Sequence, residues 1–380
     1  MIEFKERSSA GRTMHAEKAG VYHPFTNLAE LAKDRDLLTP ELFTPNDFYG
    51  HAAVLKQYCG LNRDVSLKAS IEHALFFNDY AWEVELQCDL PAILVTSSLR
   101  FAPLRKRTKK AIFAIGPLIL YAPHALSSET LDAERKRLGK SLLVMPSHST
   151  HHITAQYDIN GYRRYLERAG REFDSVRVCL YWKDVLLGRD VPYREAGFEC
   201  VTAGHMFDPL FLPRLRSIIE SASVVTSNVC GTHVGLCVAL HRPHVIAHQA
   251  PKDVTAEQTS DIQRDFDAGE YESPQFREVE QAFSAWTDTI SARQADIVNR
   301  YWGLEEKRTR EELRMILRIT EDMYATGRRD ETPAQDAMER QIESYRTSGR
   351  HGSADYLTEQ LRRLLPQGEM TTTTKGRRNR

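Results

Sequence analysis

The residues able to do chemistry recur directly after short apolar runs. Ser147-His148-Ser149-Thr150 follows Leu142–Met145, and Lys183-Asp184 closes Val176–Trp182. Gly204-His205 follows Glu199–Ala203, and Ser227-Asn228 with Gly231-Thr232-His233 follows Ser223–Thr226. Hydroxyls, imidazoles and free backbone N–H groups gathered at such places suit an anionic ligand. Ser147, Ser149, Thr150, Ser227 and Thr232 supply hydroxyls, while His148 and His233 supply ring donors. Gly204, Gly231 and Gly235 let backbone come close to backbone or ligand. Lys183 is placed to pair with phosphate and Asp184 to accept from a ribose hydroxyl, or the two form a surface ion pair. Each loop taken alone is also what a tight turn between a strand and a helix requires.

A second set of groups suits proton transfer. His51, Glu72, His73 and His124 in the first part of the chain are candidates to take a proton from a hydroxyl, and Glu72-His73 is the first choice. Each histidine also has an ordinary structural explanation. His148, His151 and His152 have the i, i+3, i+4 spacing of helical metal ligands, but no acidic residue or cysteine lies nearby in sequence, so no metal is expected. The basic run Arg105–Lys110 either touches an anionic lipid or phosphorylated acceptor, or is a solvated loop ahead of a strand.

These groups need elements to hold them. Pro91–Ser97 and Ala111–Ile115 read as buried strands in the first half; Leu67–Leu75 is mixed. Asn46-Asp47 predicts a helix start, the helix running through Tyr58 to a stop at Gly60. From Ser141 the alternation is regular. Strands at Leu142–Met145, Val176–Trp182, Glu199–Ala203, Ser223–Thr226 and His244–Ala247 alternate with helices. One helix falls within Asn160–Gly170, one begins at Asp208-Pro209 and carries Leu212, Leu215, Ile218, Ile219 and Ala222, and one spans Val234–Leu240. Parallel strands feeding helices place their exits on one edge, where open α/β sheets bind ligands. After Gln249 the chain becomes helical: Ser273-Pro274 starts one helix, Thr309–Glu312 is a capping box for another, and Thr332-Pro333 starts a third.

The chain has 380 residues, 41% of them hydrophobic, which suffices for two domains with appended helices. Lys and Arg number 51 against 52 Asp and Glu. Such a balance gives no global field for nucleic acid, and no nucleic-acid partner is expected. Six cysteines without a C-x-x-C pair fit a reducing compartment. No signal peptide opens the sequence, and its longest apolar stretch is too short to span a bilayer. A cytoplasmic protein is expected, with possible peripheral contact at the inner membrane.

The run from Leu215 to Ala247, with A-S-V-V-T-S-N, G-T-H-V-G and P-H-V-I-A in order, resembles the nucleotide-sugar half of GT-B glycosyltransferases. The resemblance covers Ser141–Gln249. Two departures stand out: His241-Arg242 replace the usual glycine, and the helix after the loop lacks the usual acidic residue. More narrowly, PSHSTHH, CLYWKD, TAGH-x-x-DP and SN-x-x-GTHVG resemble proteins encoded with bacterial surface-polysaccharide genes. The resemblance implies two Rossmann-like domains facing a cleft and no catalytic metal. With a boundary placed near the charged segment Leu131–Lys140, the chain divides into 1–135 on the acceptor side, 141–250 around the donor, 251–365 helical and, from its threonines and basic end, 366–380 a disordered tail. The donor would lie against Ser147–Thr150, Lys183, Asp184, Gly204, His205 and Ser227–His233. It further implies transfer of a sugar from a nucleotide-sugar co-substrate to a glycan or lipid-linked glycan, with no other cofactor. Two alternatives accompany it: a nucleotide-sugar epimerase of the same fold, and a non-catalytic glycan- or partner-binding protein.

Overall fold

The computed structural model describes residues 25–37, 40–149, 155, 157–247, 249 and 273–327, with scattered positions between 342 and 358. Thr150, His151, His152, the Thr332-Pro333 helix start and the tail from Pro366 lie outside the described residues.

Two parallel sheets organise the molecule. The first holds Ala69–Ile71 (β1), Ala92–Val95 (β2) and Ala111–Ala114 (β3), in the order β1-β2-β3. All residues of these strands are buried, as expected for apolar runs covered on both faces. The second holds Ser141–Val144 (β4), Ser175–Cys179 (β5), Glu199–Val201 (β6), Val224–Ser227 (β7) and His244–Ile246 (β8), ordered β6-β5-β4-β7-β8. The chain moves outward from β4 through β5 to β6, then returns to β4's other side for β7 and β8. Strand order therefore reverses between β4 and β7, which pair with Leu142 opposite Val224 and Val144 opposite Thr226. A crevice at the carboxyl ends of the strands opens at such a reversal. The fold is the α/β class expected, with two Rossmann-like parallel sheets.

Three expectations are corrected. Tyr181 and Trp182 do not continue β5: the strand ends at Cys179, and Trp182–Leu186 is a short helix. The strand Ala69–Ile71 was hidden in a mixed segment. The helix expected from Asn46 is broken, because Phe48 is extended and Tyr49 and Gly50 adopt left-handed backbone before the helix His51–Cys59 begins. Asn46 does not cap that helix. Its amide nitrogen donates to Ala69 O at 2.9 Å and its oxygen accepts from Ile71 N–H at 2.8 Å, so it extends the hydrogen bonding of β1.

The last helices bind the two sheets together. Pro274–Phe283 starts at its Ser273 cap, and Arg310–Ala325 carries the expected Thr309–Glu312 capping box. Between them Ala292–Trp302 ends with Trp302 packed onto Gly235 of the Thr232–Ala239 helix, where a Cβ would meet the indole. The chain then crosses to the first sheet. Arg308 Nε donates to Ala114 O at 2.8 Å, and Arg314 Nε donates to Cys59 O at 2.6 Å. One apolar cluster contains Leu94 and Phe113 of the first sheet, Leu143 and Val225 of the second, and Ile316 of the last helix. No helix among the described residues is long and apolar enough to cross a membrane.

Candidate functional site

The strand exits at the reversal are tied by one side chain. Asn228 is buried; its Oδ1 accepts the N–H of Ser147 at 2.7 Å, and its backbone carbonyl accepts the N–H of Gln249 at 3.1 Å. The exits of β4, β7 and β8 thus share one support. Ser147 and Thr232 flank this point, half-buried and exposed respectively, and His148 is exposed beside them.

Other expected residues support the loops from behind. Ser149 is fully buried, donating its N–H to Asp184 Oδ2 at 2.9 Å and its hydroxyl to Asp184 Oδ1 at 2.6 Å. Arg189 lies 3.3 Å from the same carboxylate. Asp184 is therefore committed to joining the loops after β4 and β5, which corrects the ribose-binding role expected for it. Lys183 is half-buried beside it. Gly204 has φ +100, and a Cβ there would lie 2.9 Å from Arg214 Nη1, so packing within the protein explains the glycine. His205 is buried with both nitrogens facing protein: Nδ1 accepts from Phe207 N–H at 3.2 Å, and Nε2 lies 3.3 Å from Asp34 Oδ1. The expected ligand contacts of Ser149, Gly204 and His205 give way to these internal ones. Gly231 has extended backbone and caps the Thr232–Ala239 helix without a side-chain bond.

His233 lies at the start of that helix. Its ring Nε2 is buried without a hydrogen-bond partner among the described residues. Burial, then the neighbouring His148, pushes its pKa down to about 4. His244 lies behind it, with ring centroids 5.3 Å apart, and its Nε2 is 3.0 Å from Ser227 Oγ.

Across the line between the sheets stands His73. Its backbone N–H donates to Glu85 Oε1 at 2.7 Å, and its ring stacks on Tyr49 at 5.4 Å between centroids. The residues around it carry unusual backbone: Tyr49 has φ +57 and Ala74 has φ +79, a region that side chains rarely adopt outside functional or strongly constrained sites. The constraint on Tyr49 comes from the second half, since its N–H donates to Met206 O at 2.6 Å and a Cβ on Gly50 would lie 2.6 Å from Pro209 O. The Tyr49 hydroxyl lies 3.3 Å from that of Tyr181, whose ring is 4.9 Å from His148. Rings therefore run continuously from His73 through Tyr49 and Tyr181 to His148, joining the two halves. Tyr49 and Tyr181 escaped the sequence reading, although Tyr181 sits at a strand exit like the residues that were chosen.

Glu72, paired with His73 in sequence, points elsewhere. Both its oxygens accept from Arg100, at 2.8 to 3.0 Å, and the pair is buried. A carboxylate so engaged does not serve as a base, so the expected role narrows to His73. His51 is held neutral, pushed down to about 3 by burial and then by His73. His124 pairs with Glu220. The basic run Arg105–Lys110 is partly neutralised: Lys106 pairs with Asp79 and Arg107 with Glu83, and Lys110 donates to the carbonyls of Glu85 and Cys88.

No family model and no curated protein matches the chain. Among solved structures, the S. aureus MnaA–UDP co-structure is similar at 9% identity and a TM-score of 0.36, over 68% of this chain and 69% of that one. Phytolacca americana UGT2 complexed with UDP-2fluoro-glucose and pterostilbene is similar at 12% identity and 0.25, over 66% and 53%. The GtfA/B complex is similar at 10% identity and 0.30, over 71% and 55%. The chain spans little more than half the length of the last two.

Proposed function

We propose that the chain is a nucleotide-sugar-dependent glycosyltransferase acting in the cytoplasm on a bacterial surface glycan. One observation carries the reading: strand exits tied by Asn228 at the sheet's reversal face His73 and Tyr49 of the other half across the Tyr49–Tyr181 contact. Sugar transfer puts charge on both the acceptor hydroxyl and the departing phosphate, so it calls for groups on two opposed surfaces. On the donor side stand Ser147, His148, Lys183, Thr232 and His233, and on the acceptor side His73 is the general base. In this reading residues 1–135 hold the acceptor and 141–250 the donor. The sequence resemblance over Ser141–Gln249 supports the same division of labour.

Thermal-shift measurements against UDP-, GDP-, CMP- and dTDP-linked sugars test it. A bound donor raises the melting temperature by mass action, about 2.7 kcal/mol of stabilisation at a hundred times Kd. A flat response to the whole panel removes the reading. Consumption of a donor with no acceptor present would instead assign the chain as an epimerase.

A further inference from the structure

All six cysteines are among the described residues, and Cys88 differs from the rest. Cys59, Cys179, Cys200, Cys230 and Cys237 are buried, whereas Cys88 is half-buried. It follows the short helix Glu83–Gln87, where its thiol donates to Glu85 O at 3.2 Å. Lys110 reaches the same spot from the residue before β3. It is 8% exposed, and its ammonium donates to Glu85 O at 3.0 Å, to Cys88 O at 2.6 Å and to Cys88 Sγ at 3.2 Å. An ammonium carries three hydrogens, so two carbonyls and one sulfur take all of them. Its backbone is fixed as well: Lys110 N–H donates to Thr108 Oγ1 at 3.2 Å, and Lys110 O accepts from Arg105 Nη1 at 3.3 Å. A lysine held in this way has given up the rotamer freedom that a surface lysine keeps, so its contact with sulfur is a built one. Thiols that react are partly exposed and lie beside a basic group. Peroxide takes such a thiol to a sulfenic acid, which condenses with a nitrogen in reach.

We propose that Cys88 and Lys110 are a redox modification site, at which hydrogen peroxide drives a covalent bond between Sγ and Nζ that thiols reverse. In the first step an S–O bond forms, the peroxide O–O bond breaks and water leaves. The ammonium then gives one proton to solvent, which frees its electron pair. Nitrogen attacks sulfur, an S–N bond forms, the S–O bond breaks, and the hydroxyl departs as water with a second N–H proton. Sulfur loses two electrons in all, and peroxide takes them. Two thiols undo the link: the first attacks sulfur and frees the amine, and the second releases Cys88 while the pair becomes a disulfide. In a reducing compartment such a bond is transient, which suits a signal better than a permanent brace. It joins residues 22 apart and ties β3 to the helix whose Glu85 carboxylate holds the His73 N–H.

Peptide mapping of the native full chain, reduced and then exposed to hydrogen peroxide, tests the proposal. A linked pair of tryptic peptides containing Cys88 and Lys110 is expected, lighter than their sum by two hydrogens. Trypsin should no longer cut after Lys110, and dithiothreitol should return both peptides. The linked protein should have a higher urea midpoint than the reduced one, because the bond restricts the unfolded chain. Cys88→Ser should abolish the pair. Lys110→Arg should stop at the sulfenic acid, which dimedone captures. Dimedone added to the wild type before peroxide serves if Lys110→Arg does not fold, and should suppress the link. Cys88 oxidised to sulfinic acid with Lys110 unmodified overturns the proposal, and so does a disulfide between Cys88 of two chains. A linked pair carrying an extra oxygen overturns the S–N bond. A pair that forms equally well in the presence of dimedone overturns the sulfenic acid step.

Discussion

Glu72 and His73 are adjacent in sequence and opposite in role. Glu72 turns inward to Arg100, and His73 turns to the rings that join the two halves. Arg100→Ala leaves a buried carboxylate uncompensated and should cost about 3–5 kcal/mol, read by urea denaturation. His73→Gln removes a base and should lower kcat by about 10²–10⁴ while leaving the urea midpoint nearly unchanged. Full transfer activity in His73→Gln would remove it from the proton path. The buried imidazoles add a pH dependence whose sign follows from their direction. The folded pKa of His51 is about 3 and that of His233 about 4, both below the ordinary value of 6.5. The unfolded chain therefore binds more protons below that value. Their contribution is intact above pH 6.5 and is lost as pH falls toward 4 and 3. Urea midpoints measured from pH 7.5 to 4.5 should decline, and less steeply in His51→Phe; parallel curves would mean that His51 is not held neutral. At this scale the sequence told residue types and strand-end positions but not partners. Asp184, Ser149 and His205 looked like ligand contacts because the residues that engage them, Arg189, Phe207 and Asp34, come from elsewhere in the chain or from turns with no distinctive spelling.

At the scale of elements, patterns carried by local periodicity were legible. β2, β3 and β4 through β8 lie where apolar runs predicted them, and the Thr309–Glu312 capping box is formed as its spelling indicates. What failed was set by distant contact. The break at Phe48–Gly50 depends on Met206 and Pro209, which no local window includes. Gly235 is a similar case: the sequence marks it as a place where backbone or ligand comes close, and the group that fills it is the Trp302 indole. Replacing a helical glycine with alanine stabilises by about 1 kcal/mol when space allows, whereas forcing a methyl into a packed contact costs about 1–3 kcal/mol. The added Cβ falls within the indole ring, so the second effect should win. Gly235→Ala is expected to lower the urea midpoint and to shift tryptophan fluorescence; a stabilised variant would show that Trp302 has room to yield.

The whole molecule poses the question of cooperativity. Two parallel sheets with separate strand orders suggest two folding units, and chains of this size commonly unfold through intermediates. The packing argues the other way. The apolar cluster runs from β2 and β3 through β4 and β7 to the Arg310–Ala325 helix. The end of the Ala292–Trp302 helix and the segment after it are fixed to both halves: Trp302 donates to Thr232 O at 2.9 Å, while Ser97 Oγ donates to Arg300 O at 2.8 Å and Arg308 reaches Ala114. Neither half keeps its core if the other opens, so calorimetry should give one transition whose calorimetric and van't Hoff enthalpies agree. Two resolved peaks in the wild type would mean that the shared cluster contributes little. Trp302→Ala is the decisive variant. It removes the indole's contacts with the Thr232–Ala239 helix and leaves Ser97–Arg300 and Arg308–Ala114 in place, so the second sheet should melt earlier and split the single transition in two.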